Sequence, residues 1–186
     1  MTLGSRAFLR EFLNEFEKDK TEWVKMYNSN PDWTAKMLGT RESREKGDHG
    51  LLGRVGKLFN YEISPEWRRI DQVWSYNLPK PDTWKEPPWR NDVVIEHEND
   101  IANLEYTFNK FEEISAPLKV GIFYPGKENE AQSLQKAHDM IIKQMSYYPG
   151  EVYLIIFGFL DKEKGIYWHA FEIDFKGNIV QLPMFM

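Results

Sequence analysis

Two glutamates one residue apart, Glu96 and Glu98, close an otherwise apolar stretch, VVIEHE, at residues 93–98. Side chains in a strand alternate between faces, so Val94, Glu96 and Glu98 share one face and Val93, Ile95 and His97 the other. So apolar a strand is expected inside a sheet, where like charges repel unless a cation stands between them. Crowded carboxylates suit a hard divalent cation: magnesium takes oxygen ligands, commonly one or two carboxylates with waters and substrate phosphate. A third carboxylate, Asp71, lies in a second strand candidate, residues 68–74, on the face it shares with Arg69 and Val73. If the two strands are neighbours, Asp71 comes beside Glu96. A cation held there can lower the pKa of a bound water and neutralise charge on a phosphoryl group, which is the chemistry of phosphodiester hydrolysis. The expected metal ligands are therefore Asp71, Glu96 and Glu98, with magnesium or manganese as cofactor and the His97 carbonyl as a further oxygen. The plainer alternative has Glu96 and Glu98 at a solvated strand end, paired with Arg69, Arg90 or Lys110.

Such a site needs a sheet and a helix to hold it. Residues 101–115 carry Leu104, Phe108, Phe111 and Ile114 at helical spacing, with Asn99 or Asp100 as the cap and Pro117 as the break. Residues 118–124, LKVGIFY, read as a strand. Strand, helix and strand within about 30 residues make a parallel crossover unit. Residues 128–147 read as a long helix, with His138 in its apolar stripe as a packed or edge histidine. The run VYLIIFGFL at 152–160 reads as a central strand, and 166–175 and 179–185 as antiparallel strands. At the other end, Ser5 can cap a helix bearing Phe8, Leu9, Phe12, Leu13 and Phe16, extended by Trp23, Val24 and Tyr27, before a turn at 28–32. Residues 1–39 read as a helical cover or dimerisation arm, and 40–59 as one further helix whose start is blurred by Gly47, Gly50 and Gly53. The expected fold class is α/β (α+β): a mixed central sheet flanked by helices, in one domain spanning 1–186. Its parts are an N-terminal helical extension (1–39), a core (40–124) and a C-terminal helix with antiparallel strands (125–186).

The totals narrow the function. The absence of cysteine excludes disulfide scaffolds and thiolate metal sites. The longest apolar run is too short to cross a bilayer as a helix, acidic Glu11, Glu15 and Glu17 on the first helix argue against a membrane-surface role, and a cytoplasmic location is expected. A net charge of −5 gives no global pull toward nucleic acid. DNA contact then depends on local features: Arg41, Arg44, Arg54 and Lys57 in the most basic stretch, and Trp84 and Trp89 in a Pro-rich loop at 75–91, placed to stack on bases. The plainer reading of each is a solvated helix face and tryptophans packed on the sheet.

Asp71 in one strand, with Glu96-His97-Glu98 ending another that leads into a helix, resembles the PD-(D/E)xK nuclease superfamily, which includes restriction endonucleases and resolvases. The likeness covers roughly residues 42–124. It implies a restriction-endonuclease-like core, built of a helix, three antiparallel strands, a second helix and a further strand, and magnesium-dependent endonuclease action on DNA. Asp71 matches the motif aspartate and Glu96 the acidic position. The chain departs from the motif twice: Ile70 stands where the motif has proline, and Glu98 stands at the lysine position. Some members carry the lysine on the following helix, which makes Lys110 the candidate to stabilise the phosphate, while Glu98 binds metal or orients water. An acid on the first core helix often completes such sites, and Glu42 and Glu45 are the options. Pro81-Asp82 spells the motif literally but lies in the Pro-rich loop. The alternative is a catalytically inactive member of the same fold that binds nucleic acid or a protein partner.

Overall fold

The computed structural model describes residues 3–27, 30–67, 69–76, 91–126, 129–144, 150–161, 165–174 and 176–184. Five helices come first: α1 (Ser5–Lys18), α2 (Lys20–Met26), α3 (Asn30–Leu38), α4 (Arg41–Glu45) and α5 (Gly50–Leu58). The strands are β1 (Glu62–Trp67), β2 (Ile70–Ser75), β3 (Val93–Glu98), β4 (Leu118–Phe123), β5 (Val152–Asp161), β6 (Gly165–Ile173) and β7 (Ile179–Leu182). Helix α6 (Leu104–Glu112), entered through a short 3₁₀ turn, links β3 to β4, and α7 (Glu130–Gln144) lies between β4 and β5.

Among the described residues the strands form one mixed sheet in chain order, β1 to β7. The β1–β2–β3 meander is antiparallel, β3–β4–β5 are parallel, and β5–β6–β7 are antiparallel. Each parallel step contains a helix, because parallel neighbours need a crossover. Side-chain alternation divides the core in two. Val93, Ile95, Val120 and Ile122 face a layer built from Phe8, Phe12, Phe16, Trp23, Trp33, Leu51 and Val55 of the N-terminal helices. Val94, Phe123, Ile155 and Phe157 face Leu104, Phe108, Phe111, Ala137 and Ile141 of α6 and α7. The result is helices on both faces of a mixed sheet, as the periodicities imply.

Three local readings change. The single helix expected over 40–59 is two. The chain leaves α4 through Gly47 and enters α5 at Gly50, both with positive φ. A Cβ on Gly50 would lie 2.5 Å from the backbone nitrogen of Gly39, so close approach as well as φ requires glycine there. Strand β1 was not expected. Pro65 lies within it, and proline is tolerated in a strand when that strand is at the sheet edge, as β1 is. Ser5 begins α1 instead of capping it: Gly4 is the N-cap, and the Ser5 hydroxyl donates to Glu172. Side chains of α1, α2 and α3 pack on one face of the sheet, and Glu15, expected on a solvated face, is buried against Lys18 and Arg54.

Candidate metal centre

The β2–β3 ladder runs Trp74–Val93, Val73–Val94, Gln72–Ile95. One step further, side chains take over from backbone. The Asp71 N–H donates to Glu96 Oε1 at 3.1 Å, and the His97 N–H donates to Asp71 Oδ2 at 2.8 Å. Each carboxylate thus caps the opposite strand, and the two acids expected to meet do meet. In the ladder to β4, Glu96 lies beside Gly121 and Glu98 beside Phe123. The cluster therefore stands at the carboxyl end of a parallel pair, where open α/β sheets present ligand sites.

Helix α6 supplies the cation. Asp100 caps its leading turn through the Ala102 N–H, and Leu104, Phe108 and Phe111 seat it on the sheet. This fixes the face that carries Tyr106 and Lys110, which are one helical turn apart. The Lys110 ammonium hydrogen-bonds Glu96 Oε2 and lies 3.7 Å from Glu98 Oε1. Exposure falls steeply inward: the side chain of Glu98 is 18% exposed, Lys110 11% and Glu96 0%. Asn103 Nδ2 donates to Glu98 Oε2 at 3.2 Å. The Lys110 ammonium also sits 4.7 Å from the centre of the Tyr106 ring, a cation–π distance.

Burial, followed by the charge of Asp71, pushes the Glu96 carboxyl up to about 8. Burial likewise raises Asp71 to about 6, against the His97 N–H and Lys110, which favour its anion. Burial pulls Lys110 down, but the hydrogen bond and charge of Glu96 outweigh it and hold the ammonium above the ordinary lysine value. These directions oppose each other, since Lys110 gains only from an ionised Glu96. Burial and the charge of Asp71 thus favour a proton on Glu96, while its hydrogen bond to Lys110 favours the anion. His97 is set apart: its imidazole faces the other side of the sheet, 2.9 Å from the Tyr124 hydroxyl, and burial depresses its pKa to about 3.

A pH dependence of stability follows. Carboxyls that hold protons more tightly in the folded than in the unfolded chain stabilise the fold fully below the ordinary carboxylate range. That contribution is lost as pH rises through about 6 for Asp71 and about 8 for Glu96. Urea midpoints of the wild type are expected to fall between about pH 5 and about pH 9, and those of the Asp71→Asn, Glu96→Gln double variant to fall less. Parallel curves for the two proteins would mean that the cluster is not the source.

The other expected residues lie elsewhere. Glu42 and Glu45 are exposed on α4 and pair with Lys46, at its C-cap, and with Arg41 of the same helix. Besides Glu98, the acid whose charge reaches Asp71 is Glu66 of β1, which pairs with Arg44 at 2.6 Å. Arg54 reaches Glu15 and Asp19 of the α1 region at 3.2 and 3.3 Å, and Lys57 donates to the Gly47 carbonyl. The basic stretch is thus tied to neighbouring acids and backbone. Trp84, Trp89, Arg90 and Pro81-Asp82 lie outside the described residues. Of the tryptophans near the loop, Trp74 packs in the core. Tyr106 was missed as a neighbour of the cluster, although its four-residue spacing from Lys110 signals a shared face; Arg69, expected as a partner for Glu96 or Glu98, instead donates to the Tyr106 hydroxyl.

No known family model and no curated protein matches the chain. No helix among the described residues is long and apolar enough to cross a membrane.

Proposed function

We propose that the protein is a magnesium- or manganese-dependent phosphodiester hydrolase acting on DNA, built on a restriction-endonuclease-like core. The observation that carries this reading is the meeting of Asp71, Glu96, Glu98 and Lys110, from two strands and the following helix, at one sheet end. The order of elements supports it: α5, antiparallel β1–β2–β3, α6 and then β4 parallel to β3 is the order the resemblance implies. Among the described residues no three His, Asp or Glu side chains form a ready-made cage. Magnesium does not require one, since one or two carboxylates serve when waters and substrate oxygens complete the octahedron. Asp71 and Glu96 fit that demand because two carboxyls crowded at one buried point are relieved by a second cation. Glu98, nearer solvent, orients the attacking water or adds an oxygen.

A bound divalent cation supplies an acidified water and neutralises phosphoryl charge. The chain's own residues do the rest. Asp71 and Glu96 would hold the cation, each being fixed by a backbone N–H of the opposite strand. Lys110, which hydrogen-bonds Glu96 and lies over the Tyr106 ring, would offer its ammonium to the phosphate oxygens. Cation affinity should rise with pH, because the protons held by the two carboxyls must leave first. The competing reading, an inactive binding module, relies on Trp84 and Trp89 of the Pro-rich loop, outside the described residues, and on Arg41, Arg44, Arg54 and Lys57, which contact protein groups. The test is plasmid nicking with magnesium or manganese, against EDTA and against a Glu96 variant. Cleavage that persists in EDTA, or is equal in the variant, would overturn the proposal.

A further inference from the structure

Lys110 has a place in the cluster; a second cation beside it does not. Arg69 lies at the β1–β2 turn, two residues ahead of Asp71, with φ at +70°. Few residues other than glycine, asparagine and aspartate adopt that conformation readily, yet here it brings an exposed guanidinium to the Tyr106 side of the site. Arg69 Nη2 donates to the Tyr106 hydroxyl, and its Cζ lies 5.4 Å from the ring centre. One half-exposed tyrosine therefore holds two cations: Lys110 turned in toward the carboxylates and Arg69 turned out to solvent. Among the described residues the hydrogen-bond partner of Arg69 is a neutral phenol, and Glu113 acts on it through its charge. Its planar fork keeps donors for a bidentate oxyanion.

We propose that Arg69, steadied by Tyr106, binds a second phosphate of the substrate, adjacent to the one hydrolysed at Asp71 and Glu96. The site then accepts a strand of successive phosphodiesters in preference to an isolated one. This rests on the hydrolytic reading above. Arg69 is a positioning residue: a phosphate contact fixes where the strand lies without reading its sequence, and it leaves the reacting atoms to the inner cluster.

The experiment compares two substrates with magnesium or manganese present: a labelled DNA duplex, and bis(p-nitrophenyl) phosphate, which has a single phosphodiester. The variant is Arg69→Asn, which removes the cation and tolerates the left-handed backbone. The expected result is a loss of about tenfold in kcat/KM on the duplex, carried mainly in KM, with hydrolysis of the single phosphodiester unchanged. The salt slope of duplex binding should also fall by about one. Tyr106→Phe, which keeps the ring but not the hydroxyl, should fall between wild type and Arg69→Asn on the duplex. An equal loss on both substrates, or no loss on the duplex, would overturn the assignment while leaving the hydrolytic reading standing. A wild type inert on both substrates would overturn the hydrolytic reading and this assignment with it.

Discussion

Glu96→Gln is expected to lower magnesium-dependent nicking by at least about 100-fold, the upper range for loss of a group that merely supports a metal ligand. Glu96 is the most enclosed member of the cluster and touches both Asp71 and Lys110. Glutamine keeps its size, so the fold should survive, but it brings no negative charge to a cation. Its amide oxygen can accept from the Asp71 N–H or from Lys110, not from both in their present places. Lys110 should then turn toward Glu98, now 3.7 Å away. Calorimetric titration with manganese should show binding lost or greatly weakened in Glu96→Gln. In Lys110→Met the cation should still bind, because both inner carboxyls remain, while turnover falls. Manganese binding and nicking equal to wild type in Glu96→Gln would end the case for a hydrolytic centre at this sheet end.

Lys119→Met is expected to destabilise the fold by about 3–5 kcal/mol, the usual effect of removing one partner of a buried ion pair. Lys119 of β4 is fully buried. Its ammonium lies 2.5 Å from Glu151 Oε2 and donates to the Phe111 carbonyl at 2.8 Å, while Glu151 Oε1 accepts from the Ala116 N–H at 3.1 Å. Methionine fills the space but leaves Glu151 without its cation. The double variant Lys119→Met, Glu151→Gln should recover much of the loss, because glutamine can still accept from Ala116 and carries no charge to strand. Equilibrium unfolding in urea would measure both steps. A single-variant loss below about 1 kcal/mol would show the pair to be as weak as a surface one. The contact to Phe111 also ties the last turn of α6 to the sheet, one residue beyond Lys110. Nicking by the single variant should therefore fall even at temperatures where it remains folded.

Several elements could be read from local pattern because their signal is local. Alternation in VVIEHE puts Glu96 and Glu98 on the face opposite Val93 and Ile95, and the ladder and core keep them there. The apolar spacing of 104–114 and the strands on either side specify a crossover helix, and β3 and β4 are parallel. Lys110 could be named as a candidate because its helix must lie on that sheet. Other features had no such signal. Pro65 hides β1, since proline is acceptable only at an edge and edge position is a property of the whole sheet. The basic stretch at 41–57 looks free in the text, whereas Glu15, Asp19 and Glu66 come to it from distant elements. Lys119, in the apolar run LKVGIFY, gives no hint that Glu151, 32 positions later, awaits it.

Residue order by itself determined which side chains share a face, where helices and strands alternate, and that acids occur at the end of an apolar strand. Those properties follow from backbone periods of 3.6 and 2 and need no neighbour. Tertiary structure alone decided the rest: that Asp71 and Glu96 cap each other's strands, that one ammonium stands between Glu96 and Glu98, and that Arg69 and Lys110 share a single tyrosine. Charge and hydrogen bonding act over a few ångströms of space, whatever the number of residues between, so they are settled only once the sheet has brought its strand ends together.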